Sequence, residues 1–344
     1  MQISQLLGNI KSAMGIADRD DSDLDADMKR VLDAHADLGA KPLSQLSVEE
    51  ARTQPSLADA VDKIRALDAA FAVRPQLEVR DFMIAGASGS IPARLYQPAD
   101  AKDGAALPVV VYFHGGGFVI ADLETYDATP RAMAHLANAI VISVHYRQAP
   151  EHPLPAAHDD AFAAWQWVLA NATQLGGDPA NVAIMGESAG GNLAINTSIR
   201  ARDAGIQMPV HQVLVYPFVS TDMETPSYHE HRNAKPLDKA GMQWFADKVV
   251  AGEVGKDSPL LNVVDADLSR LPAATIITAQ VDPLRSEGET LAIRLQAESP
   301  RSVLRNFDGV THEFFGMGDV VSRAREAQQF AAERLNEAFK RNLH

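Results

Sequence analysis

Six short, predominantly apolar runs recur along this chain with helix-length intervals between them: Val109–Phe113, Ala139–Val144, Val182–Met185, Gln212–Tyr216, Ala274–Thr278 and Val303–Phe307. A run without polar alternation is buried on both faces, and a series of them joined by helical segments predicts a mostly parallel sheet covered on both sides. Two earlier runs, Leu77–Ile84 and Ile91–Tyr96, meet across Gly86-Ala87-Ser88-Gly89 and read as an antiparallel pair at the start of that sheet. Eight strands in βα rhythm follow, an α/β class of fold. With 344 residues, 46% of them hydrophobic and 22% charged, the chain has the apolar mass for one large core of this kind with material to spare.

The surplus lies in two places. Before Leu77 the pattern is helical. Met28, Val31, Leu32 and His35 fall on one face, with Asp21 or Ser22 as the N-cap and Gly39 as the stop. Ser47-Val48-Glu49-Glu50 fits a capping box, and Leu57, Val61, Ile64, Leu67 and Phe71 form a stripe running to Arg74-Pro75. The second place is the interval Phe218 to Leu271, too long for an ordinary connection, with a helical stretch at Trp244, Phe245, Val249 and Val250. An insertion above the sheet accounts for it.

Charge and composition narrow the chemistry. A formal charge of −14 repels phosphate backbones and anionic lipid, so a nucleic-acid partner is not expected. The absence of cysteine excludes a thiolate nucleophile, a Cys-bound zinc and an iron–sulfur cluster, so any nucleophile is an oxygen or a nitrogen. No apolar stretch approaches the ~18 residues of a spanning helix. With no basic residue before Lys11, the first residues carry no recognisable secretory signal, and the cytoplasm is the expected compartment.

Gly186-Glu187-Ser188-Ala189-Gly190 stands directly after one strand and before a helical run. A turn this sharp strains its central residue, excludes side chains two positions to either side, and lifts the Ser188 hydroxyl into the open. His114-Gly115-Gly116-Gly117 follows the first parallel strand, where loops at neighbouring strand ends converge. Consecutive glycines allow main-chain N–H groups to approach a substrate oxygen, so the amides of Gly116, Gly117 and Ala189 are the expected oxyanion donors. A serine needs a base and an orienting carboxylate, which in this kind of fold come later in the order acid, then histidine. Asp282, past the Ala274–Thr278 strand, and His312, past the last strand, occupy those places. Glu287 and Asp308 are the rival acids. His114 is expected to shape the glycine loop, and His229 with His231, read as an exposed pair, would make at most a weak metal site. Neither a cofactor nor a metal is called for.

Taken together, these residues resemble the hormone-sensitive-lipase-like esterases of the α/β-hydrolase superfamily. The likeness extends to Tyr146-Arg147-Gln148-Ala149-Pro150-Glu151, Pro155-Ala156-Ala157, Asp282-Pro283-Leu284-Arg285-Ser286-Glu287-Gly288 and His312-Glu313-Phe314-Phe315, and spans roughly Leu77 to Phe315. It implies an α/β-hydrolase fold with an eight-stranded, mostly parallel sheet. It also implies a serine carboxylesterase acting on small to medium-chain carboxylic esters through an acyl-enzyme. Residues 1–75 and 218–255 would then combine into a helical cap over a catalytic core of 76–217 and 256–344. Gln148, Ser286 and Glu187 depart from the residues common in the family, an apolar residue, Asp and Asp respectively. Acyl transfer or amide hydrolysis could use the same triad, and a non-catalytic small-molecule receptor could use the same scaffold. The expected partner is a small ester; the assembly state stays open, a homodimer among the options.

Overall fold

The structure is a computed structural model and describes residues 23–67, 76–99, 106–250 and 255–342. Its centre is an eight-stranded sheet in the order β1-β2-β4-β3-β5-β6-β7-β8. The strands are β1 (Leu77–Gly86), β2 (Gly89–Pro98), β3 (Leu107–Phe113), β4 (Ile140–Val144), β5 (Gly177–Glu187), β6 (Gln212–Val215), β7 (Ala274–Val281) and β8 (Val303–Thr311). Only β2 runs against its neighbours; from β4 to β8 every pairing is parallel.

Period-two alternation divides the apolar strand residues between two layers. Val109, Val111, Ile142, Ile184 and Leu214 face one core with Trp165, Leu193 and Leu291, from α5 (Ala156–Asn171), α6 (Ala189–Asp203) and α9 (Arg285–Glu298). Val110, Val141, Met185, Val213 and Ile277 face the other, with Met133 and Leu335 from α4 (Ala128–Ala137) and α10 (Ser322–Asn342). All five residues on each side are fully buried, so both faces of the parallel strands are dry. The predicted strands are all present, and several extend beyond the apolar runs because ladder pairing continues past them, as at Gly177 opposite Leu107 and Thr311 opposite Val281.

The helices before the sheet differ in detail from the sequence pattern. Helix α1 (Ala26–Asp37) begins after Asp25, not after Asp21 or Ser22, which lie outside the described residues. The Asp25 amide donates to the Gly309 carbonyl at 2.8 Å and its carboxylate meets Arg323, so contact with β8 and α10 sets the start. Gly39, at φ +87°, closes the turn after α1 as expected. The Ser47 capping box is present, yet its helix α2 (Val48–Thr53) is short. Pro55 interrupts it, and Ser56 with Asp59 forms a second capping box that starts α3 (Leu57–Ala66). Leu57, Val61 and Ile64 are buried, but Leu67 lies past the helix end and is 76% exposed. Phe71, Arg74 and Pro75 lie outside the described residues.

Helix α1 packs on α3 and on β8, with Met28 and Val31 completing the second core. The turn Leu43–Gln45 instead contacts α8 (Lys239–Val249), the helix expected around Trp244 in the long interval, and the Trp244 indole donates to the Leu46 carbonyl at 2.9 Å. A short helix α7 (Pro226–Glu230) precedes α8. It is tied to the N-terminus of α9, where the Ser286 hydroxyl accepts from the Ser227 amide and the Ser227 hydroxyl accepts from the Ser286 amide, at 3.1 and 3.0 Å. Ser286 thus exchanges hydrogen bonds with the inserted segment.

Candidate active site

The site grows from the turn between β5 and α6. Ser188 sits at φ 56°, ψ −117°, outside the regions L-residues favour, and serves as the N-cap of α6. Its main chain is held by β6 and the chain beyond it: the Ser188 amide donates to Val215 O at 2.9 Å, and its carbonyl accepts from Asn192 and Phe218. A Cβ at Gly186 would overlap the Gly190 carbonyl, and one at Gly190 would overlap the Phe113 carbonyl. The glycines are therefore required by close backbone packing of β5, α6 and the end of β3.

Three side chains from three strand ends meet here. Ser188 Oγ lies 3.0 Å from His312 Nε2, and His312 Nδ1 lies 2.7 Å from Asp282 Oδ2. Asp282 is fully buried, His312 is 3% exposed and Ser188 7% exposed. The second Asp282 oxygen accepts from the Leu284 amide at 2.8 Å, which orients the carboxylate. Burial opposes a charge on His312, but the Asp282 carboxylate offsets this by charge and hydrogen bond, and the imidazole pKa is raised above its ordinary 6.5. The chain hydroxyl, imidazole, carboxylate can take a proton from Ser188 and hold the resulting imidazolium.

The glycine loop lies beside this chain. Gly116 and Gly117 adopt φ +93° and +58°, and a Cβ at Gly117 would collide with the Phe245 ring of α8. The amides of Gly116, Gly117 and Ala189 find no backbone acceptor among the described residues. Their direction is set by what holds the carbonyl on the other side of each trans peptide. Gly115 O accepts from Tyr146 Oη at 3.1 Å, and Gly116 O accepts from the amides of Val119 and Ile120, both at 2.9 Å. His114 stacks on Tyr146 and contacts Gly115 O through Nδ1; burial, with His145 adjacent, pushes its pKa down to about 3, so it is neutral. This is the loop-shaping place expected of it.

The rivals fall elsewhere. Glu287 is buried, but its Oε1 accepts from the amides of Val219 and Ser220, bracing the start of the long insertion. Asp308 accepts from Asn306. His229 and His231 are not an exposed pair: His229 stands at the surface beside Glu224, whereas His231 is 5% exposed and packs near Arg285. Glu187 is 1% exposed; burial raises its pKa, and the hydroxyls of Tyr112, at 2.6 Å, and Tyr216 donate to it. The Tyr216 ring in turn rests 4.5 Å from the His312 imidazole. The two tyrosines escaped the sequence reading, although a buried carboxylate on β5 demands donors and both stand at the ends of its neighbouring strands, β3 and β6. Gln148 spans the glycine loop, its amide donating to Ile120 O and Ala121 O, both at 2.8 Å.

A cavity of about 480 Å³ opens over Ser188 and His312, with walls that include Leu43 and Leu57 from the N-terminal segment, Met242 and Phe245 from α8, Phe118 from the glycine loop and Phe218 from the start of the insertion. No described residues group into a cluster that could hold a metal ion. Among the described residues no helix is long and apolar enough to cross a membrane.

Comparison with known proteins agrees with this fold. The Abhydrolase_3 family pattern, described as an alpha/beta hydrolase fold, matches residues 110–316. The chain is 42% identical over 258 residues to the esterase LipI of Mycobacterium tuberculosis, covering 74% of this chain and 80% of that protein. It is 40% identical to the carboxylesterase NlhH of the same species, covering 82% and 88%. Among solved structures, a hyperthermophilic esterase from the archaeon Pyrobaculum calidifontis superposes with a TM-score of 0.81 at 36% identity, covering 92% of this chain and 98% of that one.

Proposed function

The chain belongs to the hormone-sensitive-lipase-like carboxylesterases of the α/β-hydrolase fold and is a carboxylic ester hydrolase, and from that premise we propose that it works as a serine esterase through an acyl-enzyme on Ser188. The observation that carries the reading is the unbroken hydrogen-bond line from Ser188 through His312 to Asp282, at 3.0 and 2.7 Å. His312 Nε2 takes the Ser188 proton as Oγ attacks the ester carbonyl, and Asp282 holds the imidazole tautomer and the imidazolium that forms. The developing oxyanion enters the space faced by the amides of Gly116, Gly117 and Ala189. Collapse breaks the bond to the alcohol, to which His312 returns the proton; water, deprotonated by the same histidine, then releases the acid.

Residues 1–75 and 218–255 act in this reading as a cap, supported by the cavity walls that Leu43, Leu57, Met242 and Phe245 supply. A cavity of about 480 Å³ with a larger apolar than polar lining suits a small to medium-chain ester.

A p-nitrophenyl organophosphate tests the nucleophile. One equivalent is expected to abolish hydrolysis and to leave its phosphoryl group on the peptide containing Ser188; full activity after excess reagent, or an adduct confined to another peptide, would refute the proposal. The acid limb of the pH profile is a second test. The base must be neutral, and the His312 pKa is raised, so kcat/KM is expected to fall as the pH drops through a midpoint above 6.5. A limb centred well below that value would remove His312 from the role of base.

A further inference from the structure

We propose that Arg52, on helix α2 of the N-terminal segment, is a positioning residue for the oxyanion loop, so that this segment governs the chemical step as well as access to the site. The inference rests on the reading of Gly116 and Gly117 as oxyanion donors.

The loop from Gly116 to Ala121 is strained. Phe118 and Ala121 hold φ of 62° and 71°, uncommon for residues with a side chain, and such a conformation persists only where its surroundings over-determine it. The restraints act on the loop carbonyls. Phe118 O accepts from the Ala149 amide at 2.8 Å, and Ile120 O and Ala121 O accept from Gln148. Val119 O accepts from Arg52 Nε at 2.9 Å. The same guanidinium donates through Nη2 to Ala149 O at 2.9 Å and grips both oxygens of Glu151, at 2.7 and 2.8 Å. The Arg52 hydrogen bonds draw the Glu151 pKa down to about 2.

Arg52 therefore closes a ring. Its two carbonyl partners lie on the two segments that clasp each other through the Phe118–Ala149 bond, and Glu151 fixes the plane of the fork. Val119 is fully buried, and its amide bonds Gly116 O, the carbonyl that sets the direction of the Gly117 N–H. Displacement at Val119 is thus transmitted to a donor that must meet the oxyanion within a few tenths of an ångström. A lysine offers one flexible ammonium and cannot reproduce the fork.

The test compares two links between the N-terminal segment and the rest of the protein. Arg52→Met keeps the aliphatic stem and loses the brace. Arg65→Met removes the 2.9 Å contact from α3 to Asp319, a tether that does not touch the loop. For a short p-nitrophenyl ester, assayed well below each melting temperature, Arg52→Met is expected to lower kcat about tenfold or more with KM within about twofold. It should weaken a trifluoromethyl ketone, which mimics the tetrahedral intermediate, by the same factor. Arg52→Lys, the variant less disruptive to folding, should show the same split at roughly threefold. Arg65→Met should change neither. Unchanged kcat and inhibitor affinity in both Arg52 variants, a rise in KM alone, or an equal loss in Arg65→Met would overturn the brace. A Ser188→Ala protein that still hydrolyses the ester would remove the underlying reading; an inactive Ser188→Ala beside fully active Arg52 variants removes only the brace.

Discussion

Ser188→Ala is expected to lower kcat for an activated short-chain ester by about a million-fold, because loss of the nucleophile in a concerted triad costs nearly as much as loss of the whole triad. The fold should survive. The bonds that hold the turn use the Ser188 main chain, its amide to Val215 O and its carbonyl to Asn192 and Phe218, and not the hydroxyl. The strained φ of 56° is equally unfavourable for serine and alanine, so the exchange neither relieves nor adds backbone strain. An unchanged melting temperature, retained affinity for the trifluoromethyl ketone's non-reacting portion and near-zero turnover would together mark a chemical defect. More than a few per cent of wild-type turnover in a preparation free of contaminating esterase would rule out Ser188 as nucleophile.

Asp282→Asn is expected to lower kcat about ten-thousand-fold while conserving shape. The carboxylate is fully buried and accepts from His312 Nδ1 at 2.7 Å and from the Leu284 amide at 2.8 Å. An asparagine oxygen can serve one of these donors. Its NH₂ turned toward His312 would instead impose the tautomer with a proton on Nε2, which cannot accept from Ser188. The pH profile separates this from a packing defect. Burial lowers the His312 pKa, and in the wild type the Asp282 carboxylate is the largest influence raising it; without it only the weaker influences of Glu313 and Glu187 oppose burial, so whatever activity remains should have its acid limb shifted to lower pH. Activity within tenfold of wild type, or an acid limb that does not move, would show that Asp282 does not orient the base. The alternative acid, Glu287, is occupied by the amides of Val219 and Ser220 and has no bond to His312, so it cannot compensate from its present place.

The strands were legible because burial on both faces leaves a local mark, an apolar run such as Val109–Phe113, wherever it occurs. Their ends were less so: β8 continues from Phe307 to Thr311 through pairing with β7, which no composition records. The helices before the sheet show the same division. The capping box at Ser47 is written in four adjacent residues, whereas the start of α1 depends on Asp25 meeting Gly309 and Arg323 nearly three hundred residues away. Ser188, Asp282 and His312 could be named in advance since each belongs to a local motif at a strand end and the strand order is regular. Tyr112 and Tyr216 could not be paired with Glu187 until the sheet order placed β3 and β6 on either side of β5.

By itself, then, the amino-acid order determined the class of fold, the strained turn at Ser188 and the chemical identity of the three side chains at the strand ends, because each follows from residues within a few positions of one another. Only the tertiary structure decided how those groups are held. The brace from Arg52 to Val119 joins residues 67 positions apart, and the Ser286 exchange with Ser227 joins residues 59 apart. A hydrogen bond is selective over tenths of an ångström, and that degree of placement arises when packed layers bring distant segments together.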